Sequence, residues 1–343
     1  MINPRLFQHY GIDTRKDLRA HNRCMRPWDT VLIDKQGSCY ACECQSWLPQ
    51  SIGNLQLKPL RDILGSGLRG QLQSSIEDGS YRYCNEHQCT FLRSGGPNKV
   101  QESQQGPEQV FQLRLAIDDS CNLRCPSCRK GLIFHKQGKA YDLGIRLAGR
   151  VNQWLEEVRH PVRVHLGSDG DPFASHVYRH FMANTPVRST IEYSILTNAL
   201  MFEDFHGRVP HIMSALRTLG VSIDGASRQT YERLRLGGSW DKVNRNLECI
   251  AESKRSLGFL FNLHFVIQEG NFHEMEAIIE LGRAHGADKV ILTKVEDWNV
   301  LRDFAAVNVF DPAHPRHREF QQMHEMIKQK SRSSLYGVQV ETV

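Results

Sequence analysis

A transmembrane helix needs about 18 consecutive apolar residues, and no stretch of this 343-residue chain approaches that. The opening MINPRLFQHYGIDTRKDLRAHNR lacks the apolar core of a secretory signal. Both absences point away from a membrane and toward the cytoplasm. No internal repeat of the solenoid kind is present. No stripe of interleaved aromatic and basic residues is present either, so nucleic acid is not an expected partner. The net charge of +5 is mild, a solubility feature more than a docking signal. Of 16 histidines, none forms a His-x3-His pair with acidic support; His264, His314 and His317 read as core or surface residues.

Cysteine is what the chain does have. Ten thiols in a reducing compartment serve metals or catalysis rather than disulfides. Six lie in residues 24–89: Cys24, Cys39, Cys42, Cys44, Cys84 and Cys89. Three lie in CNLRCPSC: Cys121, Cys125 and Cys128. Cys249 stands alone beside Leu247 and Ile250 and reads as a core thiol of an amphipathic helix. Between the two groups runs SGGPNKVQESQQGPEQ, residues 94–109, polar and rich in glycine and proline. That composition reads as an exposed linker and a domain boundary.

CNLRCPSC spaces its thiols C-x3-C-x2-C. A 4Fe–4S cluster normally takes four cysteines. Three in one loop hold three irons and leave the fourth open to a chelating substrate. Zinc fits less well, because structural zinc sites pair C-x2-C knuckles with a distant second pair.

After the linker, strand and helix patterns alternate. Strands are expected at 112–118, 162–167, 190–198, 220–225, 259–268 and 289–295. Helices are expected at 142–158, 173–183, 211–219, 239–258 and 271–286, with a last helix at 316–331 and a short strand at 337–342. Six strands with intervening helices imply an α/β fold with a parallel sheet. The polar motifs fall at strand ends, where barrel folds keep their chemistry: the cysteine loop, then SDGDP (168–172), Thr197-Asn198 and SIDG (222–225).

These residues resemble the radical SAM superfamily over roughly 110–300. The resemblance implies a partial (β/α)6 TIM-like barrel at 110–300, with 301–343 closing one side. It also implies that Cys121, Cys125 and Cys128 hold a 4Fe–4S cluster whose open iron binds S-adenosylmethionine (SAM). Gly167, Ser168, Asp169, Gly170 and Asp171 stand where the family has a Gly-Gly-Glu-Pro-like segment that holds the SAM amino group; Asp171 replaces the Glu. Thr197 and Asn198 match Thr-Asn-Gly, with Ala199 replacing the Gly. Ser222 and Asp224 match Ser-Ile-Asp-Gly and imply ribose or substrate contacts. Arg235, in YERLRLGGSW, is the candidate for the SAM carboxylate, since a guanidinium fork suits bidentate recognition. Asn271 is the candidate for the adenine region. Helix capping is the plainer reading of Ser222, Asp224 and Asn271. Ser127 stands where many members carry an aromatic residue.

Residues 1–93 resemble the SPASM and twitch auxiliary-cluster domains of that superfamily. The likeness rests on Cys24-x12-Gly37-x4-Cys42, the IGN and LRDIL elements, and Cys84-NEHQ-Cys89. It implies one extra 4Fe–4S cluster on Cys24, Cys42, Cys84 and Cys89, with Cys39 or Cys44 as substitutes. Such domains usually follow the barrel; here the segment precedes it. A zinc site on Cys39, Cys42, Cys84 and Cys89 is the competing reading.

The expected function is a radical SAM oxidoreductase. It would cleave SAM to a 5′-deoxyadenosyl radical and abstract hydrogen from a peptide or sugar-like small-molecule substrate. Electrons would come from a donor such as flavodoxin or ferredoxin. A redox-neutral epimerase is the alternative within the class, and a zinc-stabilised binding protein the alternative outside it.

Overall fold

The computed structural model describes residues 24–94, 110–332 and 336–342. The expected linker lies almost wholly outside the described residues. The chain divides into two compact units. The first comprises Met1–Asp118, Gln137–Asp169 and Asn184–Glu192, the second Asp119–Lys136, Gly170–Ala183 and Tyr193–Val343.

In the first unit the strands are β1 (Thr30–Asp34), β2 (Ser38–Tyr40), β3 (Gly53–Asn54), β4 (Phe111–Ala116) and β5 (Val162–Leu166). They lie in the order β5-β4-β1-β2-β3. β4 is parallel to both β1 and β5, while β1, β2 and β3 form an antiparallel meander. β1 and β4 run in register from Thr30↔Gln112 to Asp34↔Ala116. Residues 30–34 share a sheet with the first barrel strand. The reason is visible in TVLID, which is buried at every position. A strand buried on both faces shows no alternation, and so carries little periodic signal. The helix Lys139–Glu157 buries Leu147, Ala148, Val151 and Leu155, one stripe at helical spacing. Its Trp154 ring lies 5.8 Å from Phe111 on β4.

In the second unit β6 (Ile191–Thr197), β7 (Leu216–Ser222), β8 (Leu260–Ile267), β9 (Lys289–Lys294) and β10 (Gln339–Thr342) pair in that order, all parallel. The helix Trp240–Leu257 starts where Ser239 caps Lys242 N–H and stops at Gly258, whose φ of 76° is left-handed, as its sequence predicts. The expected helix at 211–219 is shorter: it spans Pro210–Ser214, and β7 already begins at Leu216. Pairing decides this. Tyr193 N–H donates to Ala215 C=O, and Leu219 pairs with Ile195. Strands β4 to β9 and their helices form the βα succession of a partial (β/α)6 barrel. Among the described residues no helix is long and apolar enough to cross a membrane.

Candidate cofactor site

The cysteine loop, the segment after Gly170 and the ends of β6, β7 and β8 all belong to the second unit. The loop is held by its own backbone. Cys121 N–H donates to Ile133 C=O at 2.9 Å, Cys128 N–H to Cys125 C=O at 3.0 Å, and Arg124 N–H to Leu236 C=O at 3.0 Å. The last bond ties the loop to the YERLRLGG segment. Cys121 and Cys125 are buried, and Cys128 is exposed.

Each thiol meets a donor. Cys121 Sγ accepts from Leu123 N–H at 3.4 Å and from the Asn198 amide at 3.6 Å. Cys125 Sγ lies 4.0 Å from Arg235 Nη1. Cys128 Sγ lies 3.7 Å from Arg129 Nη2. Burial, then the charge of Asp171, pushes the Cys121 thiol up to about 11. Burial also raises Cys125, with Arg235 pulling the other way. A thiolate ligand is anionic, and N–H donors and cations beside the sulfur are what it requires. The three cysteines and their neighbours therefore suit a cluster bound through thiolates.

Asp171 is placed differently from its expected role. Its Oδ1 accepts from Phe173 N–H and Ala174 N–H at 3.0 Å each. Its Oδ2 accepts from Thr197 Oγ1–H and Asn198 N–H at 2.8 Å each. Its own N–H donates to Ser120 C=O at 2.8 Å. The side chain is buried, and burial pushes its carboxyl up against the pull of these donors. A carboxylate offers about four lone-pair sites, and all four are occupied. Asp171 thus ties the cysteine loop to the end of β6, with no face left for an external ammonium. Thr197 is part of the same tie. Asn198 also donates to Asn122 Oδ1 at 2.8 Å, so its amide steadies the loop as well as Cys121.

Arg235 and Asp224 form a buried pair. Arg235 Nε lies 2.8 Å from Asp224 Oδ2, an ion pair with the N–H aimed obliquely rather than along a hydrogen bond. Burial opposes the Arg235 charge, but Asp224 and then Cys125 hold it well above its ordinary value. Asp224 Oδ1 accepts from Val266 N–H at 3.0 Å. Part of the Arg235 fork is thus committed to Asp224, and its Nη1 turns toward Cys125. Ser222 ends β7 in register with His264. Asn271 donates to Asp224 C=O and Val266 C=O at 3.0 and 2.9 Å and is fully buried, so it braces the ends of β7 and β8 rather than reaching outward. Gly167, Ser168 and Asp169 belong to the first unit, and Gly170 opens the second unit's segment at φ 72°.

Sequence reading missed Tyr231. Its ring is fully buried, and its hydroxyl has no hydrogen-bond partner. It fills the space left by Gly225 and Gly238: a Cβ on Gly225 would lie 2.4 Å from Tyr231 N, and one on Gly238 2.9 Å from its hydroxyl. The glycines were the available signal.

In the first unit, Cys24, Cys84 and Cys89 pack around Tyr81, with Trp28 and Trp47 beside them. Burial, then the charges of Cys42 and Cys89, raises Cys24. Burial pushes Cys42 up to about 12. Tyr81 feels Cys24, Cys84 and Cys89, and its hydroxyl accepts from Cys24 N–H at 3.4 Å. Cys39 is not part of this group. It is buried, donates weakly to Gly37 C=O at 3.7 Å, and has Asp34 as its charged neighbour. Cys44 is engaged with Ser46 Oγ at 2.8 Å. Cys24, Cys84 and Cys89 thus gather around Tyr81, Cys42 is a charged neighbour of Cys24, and Cys39 has other neighbours. Cys249 lies on its helix, half-buried rather than in the core.

No family model matches the chain. In sequence it is similar to a probable GTP 3′,8-cyclase of Methanococcus maripaludis, 23% identical over 182 residues, which is 52% of this chain and 57% of the relative. A probable GTP 3′,8-cyclase of Methanosarcina acetivorans is 26% identical over 204 residues, 56% of each chain. The chain thus spans little more than half the length of the curated relatives it matches. Among solved structures, Streptococcus suis SuiB bound to its precursor peptide SuiA aligns with a TM-score of 0.47 at 12% identity, over 68% of this chain and 49% of that one. In its C-x3-C-x2-C loop and its parallel βα succession the chain resembles the radical SAM superfamily, and in sequence it is similar to these GTP 3′,8-cyclases.

Proposed function

We propose that the chain is a radical SAM oxidoreductase with two 4Fe–4S clusters, one on Cys121, Cys125 and Cys128 and one on Cys24, Cys42, Cys84 and Cys89. The observation that carries this is the provision of an N–H or cationic donor for each of the three loop thiols. When bound, the first cluster and SAM supply one chemistry: an electron passed to the sulfonium breaks the S–C5′ bond, leaving methionine and a 5′-deoxyadenosyl radical that takes hydrogen from a substrate carbon.

The chain's own residues prepare for it. Asn198 and Leu123 N–H steady the Cys121 sulfur, Arg129 faces Cys128, and Arg235 faces Cys125. Asp224 fixes Arg235 by its Nε and Nη1 lies beside Cys125, so this buried guanidinium has its Nη2 to offer to an anion next to the thiols. Burial of Cys121 and Cys125 keeps water from two of the three sulfurs. Cys128, exposed, lies on the side open to solvent and to an electron donor such as flavodoxin or ferredoxin. The substrate is a peptide or a small molecule. The name of the relatives, GTP 3′,8-cyclase, favours a second reading in which a nucleotide is rearranged without net oxidation.

Anaerobic reconstitution followed by an assay for 5′-deoxyadenosine tests the proposal. About eight irons per chain are expected; about four would leave a single cluster and turn the reading toward redox-neutral chemistry. Cys125→Ala should abolish SAM cleavage, and cleavage at the wild-type rate would overturn the ligand assignment. Cys84→Ala should keep SAM cleavage but lose substrate turnover and about four irons.

A further inference from the structure

One face of the first unit's sheet carries a polar cluster that the cluster sites do not use. Pleating puts Gln112 and Arg114 on one face of β4, and Arg163 and His165 on the same face of β5. The register pairs Gln112 with Arg163 and Arg114 with His165. His165 Nε2 lies 2.7 Å from Gln112 Oε1, a diagonal bond that confirms the shared face. Neighbouring Leu32 on β1 is buried, and Arg26 and Glu43 border the same face.

The arginines of this face are not equally matched. Arg163 Nε donates to Glu192 Oε1 at 2.6 Å and is matched by it. Arg26 Nη2 pairs with Glu43 Oε1 at 2.8 Å. Among the described residues, Arg114 has only a long ion pair to that same oxygen, Nη1 to Oε1 at 3.7 Å, while its Nε is buried without a hydrogen-bond partner. Arg114 is thus the least closely matched of the three arginines, with the Asp29 carboxylate also a neighbour of Arg26 and Glu43. The nearby Asp34 is engaged by Gln36 N–H and Ser38 N–H at 2.9 and 2.8 Å. Arg114, Arg163 and Glu192 are about 27 to 31% exposed at the side chain, so this face is reachable by solvent. Burial, then Arg114, Arg163 and Arg26 in turn, drives the His165 imidazole well below its ordinary pKa, which reports the same positive field.

We infer that this face binds a small oxyanion, a phosphate or carboxylate group, with Arg114 as the principal donor and His165 beside it. A guanidinium with one buried, unsatisfied N–H and one weakly paired N–H matches a two-oxygen acceptor. The binding itself stands on the geometry alone; its use as the handle by which a substrate is held rests on the proposed function.

Isothermal titration of the full chain with inorganic phosphate, and separately with acetate, tests this. His165 is followed by ring NMR of histidine-labelled protein and assigned with His165→Gln. Saturable one-to-one binding of at least one probe is expected, with a shift of the His165 signal. Phosphate alone would mark a phosphoryl handle, acetate alone a carboxylate. Arg114→Gln should weaken binding roughly ten-fold or more, and Arg114→Lys, which keeps the charge and the fold, should weaken it less. Arg61→Gln, on the exposed helix Leu60–Leu64, should leave it unchanged. No saturable binding of either probe, or equal binding by both Arg114 variants and wild type, would overturn the site. Loss of oxyanion binding alone discards this site, whereas absent SAM cleavage with intact oxyanion binding discards the proposed reaction.

Discussion

The carboxylate of Asp171 accepts from Phe173, Ala174, Thr197 and Asn198, a set that spans two strand ends. Asp171→Asn replaces one oxygen by a donor that faces two of these N–H or O–H groups. Leaving two buried donors unsatisfied costs about 2–3 kcal/mol, so the urea midpoint of the purified protein should fall markedly. An unchanged midpoint would mean that the tie is not formed in solution. Ala199 is instructive at the same scale. It occupies the position where the resembled motif has glycine, and its φ is 63°, the left-handed region that favours glycine. The motif's glycine is thus explained by backbone geometry, and the alanine carries strain of about 1–2 kcal/mol. CNLRCPSC stands out in the sequence by its spacing, whereas Asn198 and Arg235 were reached through the family resemblance; the structure sets them beside Cys121 and Cys125. The inward turn of Asp171 was not legible, because it depends on partners up to 27 residues away that no local pattern announces.

Strand–helix elements were legible where one face is buried and the other open. β8 alternates buried and half-buried along its length, and the helix Trp240–Leu257 carries both of its caps in its sequence. Two elements escaped. β1 is buried throughout, Thr30 and Asp34 included, so periodicity gave it no sign. The segment HIMSALRTL has apolar residues at helical spacing, yet its second half pairs as β7 because sheet hydrogen bonds outweigh a short helix. The short helix Arg228–Leu234 owes its seat to Gly225, since a Cβ there would lie within 2.4 to 2.9 Å of the backbone of Tyr231 and Thr230. Backbone cannot swing aside as a side chain does. Gly225→Ala should therefore cost about 2–3 kcal/mol and lower the thermal midpoint. A variant as stable as wild type would show that this turn relaxes freely.

On the scale of the whole molecule, acid sensitivity has an identifiable source. Burial lowers His264 to about 4, and the ring packs against Gly220, where a Cβ would lie 2.8 Å from Nε2. An unfolded histidine titrates near 6.5. The fold therefore favours the neutral ring, and this stability is intact above about pH 6.5 and is lost as pH falls toward 4. The loss is of order 2–3 kcal/mol once the ring is protonated. His264→Gln should reduce the slope of the stability profile between pH 6.5 and 4, the remainder coming from His165 and His324, which burial also lowers; an unchanged slope would remove His264 as a source. The two-unit division itself was hidden in the sequence. The polar tract 94–109 drew attention as a boundary, while the parallel pairing of β1 with β4 depends on residues some eighty positions apart.

The four-fold use of the Asp171 carboxylate also sets a pattern in time. The amides of Phe173, Ala174 and Asn198 have one common acceptor group, and the Asp171 amide leans on Ser120. Releasing the Phe173 or Asn198 amide requires that the carboxylate turn, and Ala174 N–H holds the Asp171 C=O at 3.1 Å as well. These amides should exchange their hydrogens for deuterium at a single shared rate, though they are far apart along the chain. The entrance to the cysteine loop would then open as one unit, with a single latch at Asp171.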